Sequence, residues 1–107
     1  QLIPKTVNVP EALEPLALDK PLVEQGKQVY QQYCYMCHGL DGMSGGVIPD
    51  LRFAQAEVYD EWQSIVINGS RANKGMRPFA GVITVEEAMA VRAYVVSRAL
   101  KAKPKKQ

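Results

Sequence analysis

The residues most able to do chemistry in this sequence are its two cysteines and its one histidine, which stand together as Cys34-Tyr35-Met36-Cys37-His38. A C-x-x-C thiol–disulfide motif is expected beside a βαβ pattern, which this sequence does not show. A tetrahedral zinc site needs four ligands, and a structural disulfide leaves the histidine unexplained. The C-x-x-C-H spacing instead matches covalent haem attachment, in which each thiol adds to a vinyl group of the porphyrin. The motif therefore predicts one haem c, bound through Cys34 and Cys37, with His38 as the proximal iron ligand.

A sixth iron ligand has to come from elsewhere in the chain, and methionine is the natural choice because there is no second histidine. Met36 lies between the attachment cysteines, and Met43 follows His38 too closely to cross to the far haem face. Met89 falls at helical spacing, where packing is its favoured role. Met76 lies in a loop with glycine and proline that can pass over the far face, so it is the predicted ligand. A five-coordinate iron or another ligand is the alternative.

The N-terminal elements divide into a proline-bearing stretch and a helix. Residues 1–21 contain four prolines and no sustained apolar period, which predicts an extended arm or linker that packs weakly. The alternative is a short helix over Glu11–Leu18 with Pro10 at its first turn. Residues 22–35 show a helical pattern, and Gly26 within it suits a position where another helix approaches closely.

Two helices are predicted in the second half of the chain. Residues 58–68 form a short helix candidate, ended by Gly69 at the place of a left-handed cap. Thr84 and Glu87 form a capping box that starts the last helix. The residues expected to point inward are Trp62, Ile65 and Val66 in the first of these helices and Ala88, Val91, Tyr94, Val95 and Ala99 in the second. Residues 39–52 and 70–81 read as loops, rich in glycine and proline.

Composition places the chain among small globular domains. It has 107 residues, of which 47% are hydrophobic and 22% charged, so one domain is expected and whole-chain disorder is excluded. No apolar run is long enough to span a membrane. The chain starts at Gln1 without a secretory signal, which suggests a mature or trimmed product. The fold class is therefore all-α, and the long loops suggest wrapping around a prosthetic group.

The net charge of +2 at pH 7 is too small to imply a nucleic-acid partner, and it comes from the end of the chain. Residues 101–107 hold four lysines and no acid. This basic C-terminal tail is interpreted as a solubilising end, with the steering of an acidic partner as the alternative.

Residues 22–100 of the sequence resemble the class I c-type cytochromes. The matching residues are Gly26 and Tyr30, the attachment motif, Pro49 and Leu51, the run Gly75-Met76-Arg77-Pro78-Phe79, and Ala93-Tyr94-Val95. The resemblance implies a class I cytochrome c fold of three to five helices around one covalently bound haem. It also implies that the first and last helices cross at Gly26 and Tyr94, and that the Pro49 carbonyl accepts a hydrogen bond from His38 Nδ1–H.

A narrower resemblance is to the cytochrome domain of quinohaemoprotein (PQQ-dependent) alcohol dehydrogenases. It rests on the run Gly46-Val47-Ile48-Pro49-Asp50-Leu51-Arg52 and on Trp62, Ile65, Val66 and Gly69. In those proteins a proline-bearing linker joins such a domain to a β-propeller. Residues 1–21 would then correspond to that linker. The sequence contains no propeller, so the dehydrogenase activity itself is not carried over.

Four further residues are candidates for contact with the haem. Leu51 is implied by the resemblance. Arg52 would pair with a propionate, with the capping of a turn as the equal alternative. Trp62 would donate its N–H to a propionate, with a plain core position as the favoured alternative. Phe79 is expected to pack near the haem face.

These observations together predict a one-electron carrier rather than an enzyme. The expected donor is a quinone-dependent dehydrogenase, and the expected acceptor is a further cytochrome, an oxidase or a quinone pool. By family analogy the location is the bacterial periplasm, and a monomer is expected. One alternative is a haem protein with an open iron site for ligand binding or peroxidatic chemistry. The other is a small redox or interaction module without haem.

Overall fold

A computed structural model describes residues 6–34, 51–72, 76 and 78–102. Within these residues the chain forms a 3₁₀ helix over Glu11–Leu18, helix α1 over Lys20–Tyr33 and a 3₁₀ turn over Leu51–Phe53. Helices α2 over Ala56–Asp60, α3 over Trp62–Val66 and α4 over Val85–Ala102 follow. The described part contains no strand, only an isolated bridge between Ala80 and Ile83. The all-α prediction is confirmed.

Helix α4 is the centre of the fold, because α1, α3, the N-terminal 3₁₀ helix and the Leu51–Phe53 turn all pack against it. Helices α1 and α4 cross where Gly26 lies against α4. A Cβ at Gly26 would overlap the Ala90 carbonyl and lie 3.0 Å from Tyr94 Cβ. Beside this crossing the Tyr30 and Tyr94 rings pack with centroids 5.2 Å apart. The crossing at Gly26 and Tyr94 is thus confirmed.

Helix α1 begins two residues before the predicted start and ends at Tyr33, directly before Cys34. The Asp19 side chain accepts a hydrogen bond from the Leu22 N–H at 3.2 Å, and a proline occupies the first turn, where a missing N–H is harmless. At the other end, Cys34 is the C-cap and donates its backbone N–H to the Tyr30 carbonyl at 2.8 Å. Because Tyr30 is fully buried, this bond fixes Cys34 at the edge of the core.

The N-terminal stretch is not extended throughout. Residues Glu11–Leu18 form a 3₁₀ helix, so the alternative of a short helix holds there and the extended interpretation is wrong for these residues. Val9, Leu13 and Ala17 pack, partly buried, against the core. Tertiary packing on α4 therefore organises a segment whose prolines would otherwise favour extended backbone.

The helix predicted over residues 58–68 is two short helices, α2 and α3, separated at Glu61. Glu61 has φ −98° and ψ 18°, a geometry that interrupts the helical path. Trp62, Ile65 and Val66 are buried as predicted. Gly69 has φ 77°, which confirms the left-handed position expected of it.

The start of α4 follows its sequence signature. The Glu87 N–H donates to Thr84 Oγ1 at 3.0 Å, and the Thr84 N–H donates to Glu87 Oε1 at 2.8 Å. This reciprocal pair is the predicted capping box. The five α4 residues expected to face inward are all buried. No helix in the described part of the chain is long and apolar enough to cross a membrane.

Candidate haem site

An apolar cavity lies between the end of α1, the α2–α3 segment and α4. Its empty space, counted out into the open mouth, is about 430 Å³. The described residues that line it are Cys34, Leu51, Val58, Trp62, Ile65, Val66, Met76, Ile83 and Val91. The surface that these described residues contribute is entirely apolar, so the cavity suits a hydrophobic group.

Four of the predicted site residues line this cavity, and two of them, Cys34 and Met76, reach it from distant parts of the sequence. Cys34 follows the last residue of α1 as its C-cap, and Met76 lies on the loop between α3 and α4. Both side chains are partly buried. Cys37, His38 and Pro49 lie outside the described residues, so their assigned roles stay predictions.

The backbone on both sides of Met76 is held by hydrogen bonds. The Met76 N–H donates to the Arg71 carbonyl at 3.2 Å. After Met76, the Phe79 N–H donates to the Val66 carbonyl at 2.9 Å, which ties the loop to the end of α3. The loop thereby brings Met76 to a cavity that Cys34 also lines.

The predicted contacts Leu51 and Arg52 lie on the 3₁₀ turn. Leu51 lines the cavity, and its contact with a haem stays a prediction. Arg52 is partly buried, and its guanidinium carbon lies 5.0 Å from the centroid of the Phe53 ring, which is a cation–π geometry. The pairing of Arg52 with a propionate stays a prediction.

The Trp62 N–H has a protein partner. It donates to the Ala88 carbonyl of α4 at 2.8 Å, so the predicted hydrogen bond to a propionate is not supported. The core alternative is what the structure shows, because Trp62 is 4% exposed and stacks on Tyr59 with ring centroids 6.1 Å apart. The indole ring nevertheless forms part of the cavity wall.

Phe79 is buried in the core and meets the Tyr33 ring edge-on, with centroids 6.2 Å apart. It does not appear among the described residues that line the cavity, so its predicted contact with the haem face stays untested. Val58 and Ile83, which do line it, went unassigned in the sequence analysis. Val58 lies within the short helix α2 and Ile83 lies in the loop before α4, and no spacing rule marks either of them as a site residue.

Tyr59 is a further buried residue that sequence reasoning missed. It is fully buried, and its hydroxyl has no hydrogen-bond partner among the described residues. Burial raises the pKa of Tyr59 to about 12, so the phenol is neutral and able to donate at physiological pH. The signal available in the sequence, one tyrosine three residues before Trp62, did not distinguish it from a surface tyrosine.

The donor set suits a haem better than a bare metal ion. The described residues contain no group of three or more His, Cys, Asp or Glu side chains able to hold an ion. The cavity instead offers one thiol, able to form a thioether with a vinyl group, and one methionine sulfur, a known axial ligand of haem iron. An apolar wall around these sulfurs would keep water from the iron.

Comparison with known proteins agrees with this chemistry. Residues 21–95 match the family model described as cytochrome c oxidase, cbb3-type, subunit III. Over 95 residues the chain is 36% identical to quinohemoprotein alcohol dehydrogenase ADH IIB of Pseudomonas putida, covering 89% of this chain and 14% of that protein. It is also 39% identical over 88 residues to cytochrome c550 of Pseudomonas aeruginosa, covering 78% of this chain and 61% of that one.

Two solved structures of quinohemoprotein alcohol dehydrogenases are similar to this chain in fold and in sequence. The quinohemoprotein alcohol dehydrogenase ADHIIG from Pseudomonas putida HK5 superposes with a TM-score of 0.81 at 34% identity, covering 94% of this chain and 14% of that one. The quinohemoprotein alcohol dehydrogenase from Comamonas testosteroni superposes with a TM-score of 0.69 at 27% identity, covering 97% of this chain and 14% of that one. The chain thus spans about one seventh of the length of these dehydrogenases.

Proposed function

This chain belongs to the family of c-type cytochrome domains described as cytochrome c oxidase, cbb3-type, subunit III, and on that basis we propose that it is a one-electron transfer protein. The observation that carries the proposal is the meeting of Cys34 and Met76 on one apolar cavity. When bound, a haem would supply one-electron exchange at its iron. The protein's part is to attach it, set its ligands and exclude water.

Attachment and ligation are divided among four residues. Cys34 and Cys37 would form the two thioethers, and His38 and Met76 would be the axial ligands. His38 would be oriented by the Pro49 carbonyl, which would accept a hydrogen bond from Nδ1–H and so fix the imidazole tautomer. A methionine ligand raises the reduction potential, which suits a carrier that accepts electrons from a dehydrogenase.

The cavity wall would tune the same potential. Leu51 and the indole of Trp62, together with the aliphatic residues beside them, surround the space in which the haem would lie. A low-dielectric wall disfavours the more highly charged oxidation state of a buried centre. Arg52 and Phe79 are kept as proposed haem contacts, through a propionate and through packing respectively.

We propose a quinone-dependent dehydrogenase, separate or on the same chain, as the electron donor. Several relatives are named as quinohemoprotein alcohol dehydrogenases, in which the matching segment is about one seventh of the protein. The acceptor would be another cytochrome, an oxidase or a quinone pool, met through a small redox interface. The proposed location is the bacterial periplasm and the proposed state is a monomer. The proposed division is an arm at residues 1–21, the cytochrome domain at 22–100 and a basic tail at 101–107.

Visible spectra test the attachment and the ligation separately. Oxidised and reduced spectra are recorded on native protein and on protein denatured and washed free of loose pigment. Haem that stays on the washed chain establishes covalent attachment, and haem that washes away refutes it. Cys34→Ser and Cys37→Ser should each weaken attachment and folding together, because the haem completes the core.

The ligation is tested by a low-spin native spectrum with a thioether–iron charge-transfer band, and by resistance of the reduced protein to carbon monoxide. A rapid, complete spectral change with carbon monoxide would favour an open iron site and a ligand-binding or peroxidatic function. A colourless protein from a host that matures c-type cytochromes would contradict both haem functions.

A further inference from the structure

We infer that Gly69 is a positioning residue for Met76, holding the loop so that the methionine sulfur stays at the cavity. The inference rests on the proposed function, because it gives Met76 the role of an iron ligand. Gly69 lies between the end of α3 and this loop and does not line the cavity itself.

Both arms of the Met76 loop meet at Gly69. On the arm that leads to Met76, the Gly69 carbonyl accepts a hydrogen bond from the Ala72 N–H at 2.9 Å, and the Arg71 carbonyl accepts one from the Met76 N–H at 3.2 Å. On the returning arm, Pro78 packs against the open side of Gly69. Met76 therefore lies between two contacts that both involve Gly69: the hydrogen bond from Ala72 and the packing of Pro78.

The absence of a side chain at Gly69 is what allows this contact. A Cβ built there would lie 2.8 Å from Pro78 Cβ, 3.2 Å from its Cγ and 3.3 Å from its Cδ. A distance of 2.8 Å is too short for real Cβ contacts, so one of the two residues has to move. Proline is rigid, and the next residue, Phe79, is fixed to the Val66 carbonyl. The strain therefore falls on the segment that carries Met76.

The left-handed backbone at Gly69 is a separate effect, and the chain contains a matched control for it. Gly81 has φ 81°, close to the 77° of Gly69, but a Cβ there would meet nothing within 4 Å. Alanine at either position introduces the same kind of backbone strain. Only an alanine in place of Gly69 would also bring its Cβ too close to the Pro78 ring.

The experiment measures how easily an added ligand displaces Met76. Imidazole is titrated into the ferric holoprotein of the wild type, Gly69→Ala, Gly81→Ala and Met76→Ala, and midpoint potentials are recorded on the same samples. We expect Gly69→Ala to bind imidazole about tenfold more tightly than wild type, with a lower potential. Gly81→Ala should keep both properties unchanged even where its melting temperature falls.

Gly69→Asn provides a second variant should the alanine form fail to fold. Asparagine tolerates positive φ better than alanine does but carries the same Cβ, so it should also bind imidazole more tightly. Equal imidazole affinity in the Gly69 and Gly81 variants would overturn the inference. Wild type that binds imidazole as tightly as Met76→Ala would instead overturn the proposed ligation, so the two failures are distinguishable.

Discussion

Gly26→Ala tests whether the contact between α1 and α4 holds the domain together. Two effects of the added methyl oppose each other. Alanine is the better helix former by about 1 kcal/mol. Against this, the Cβ would overlap the Ala90 carbonyl, which is backbone in the middle of α4 and cannot swing aside as a side chain can. Overpacking costs typically 1–3 kcal/mol, so about 3 kcal/mol is expected here.

The net loss is therefore about 2 kcal/mol, a large part of the 5–15 kcal/mol typical of a whole domain. In a domain of this size that loss corresponds to a fall in melting temperature of roughly 10 °C. Because Cys34 lies at the end of the displaced helix α1, haem incorporation should fall in parallel.

Thermal unfolding of the holoprotein, followed by circular dichroism, is the assay. Gln25→Ala is the matched control, since Gln25 is the exposed neighbour of Gly26 on the same helix. Its effect should stay within about 0.5 kcal/mol. A Gly26→Ala protein as stable as the wild type would show that the helices can separate at no cost, and the reasoning would fail.

Three further substitutions test the site. Met76→Ala should keep the haem covalently bound but lower the midpoint potential and admit carbon monoxide, whereas an unchanged potential would rule Met76 out as ligand. Trp62→Phe should cost at least about 1 kcal/mol, because it removes the bond to the Ala88 carbonyl and part of the buried ring. It should shift the midpoint potential only slightly, because phenylalanine keeps the cavity wall apolar; a large shift at unchanged stability would instead place the indole N–H on the haem. Because burial raises the pKa of Tyr59 from 10.0 to about 12, the unfolded chain loses this proton first and stability should fall between about pH 10 and pH 12. Tyr59→Phe should reduce that fall in denaturant titrations, and an identical pH profile would contradict the assignment.

The N-terminal segment and Trp62 show where sequence reasoning fell short. Four prolines argued for an extended arm, yet Glu11–Leu18 is a 3₁₀ helix because α4 offers a surface for Leu13 and Ala17. For Trp62 a core position was favoured over a propionate contact, but the sequence did not identify the Ala88 carbonyl as the hydrogen-bond partner of the indole N–H. In both cases the deciding contact joins residues far apart in the chain, and no local pattern encodes it.

Features that depend only on neighbouring residues, in contrast, could be predicted from the sequence alone. The capping box of Thr84 and Glu87 and the left-handed conformation of Gly69 depend on residues within a turn of one another, so residue type and spacing determine them. The C-x-x-C-H motif is local in the same sense, and it predicted a haem before any fold was known. Only the tertiary structure decided that Cys34 and Met76 share a cavity, because that depends on how α1 and the α3–α4 loop pack against α4.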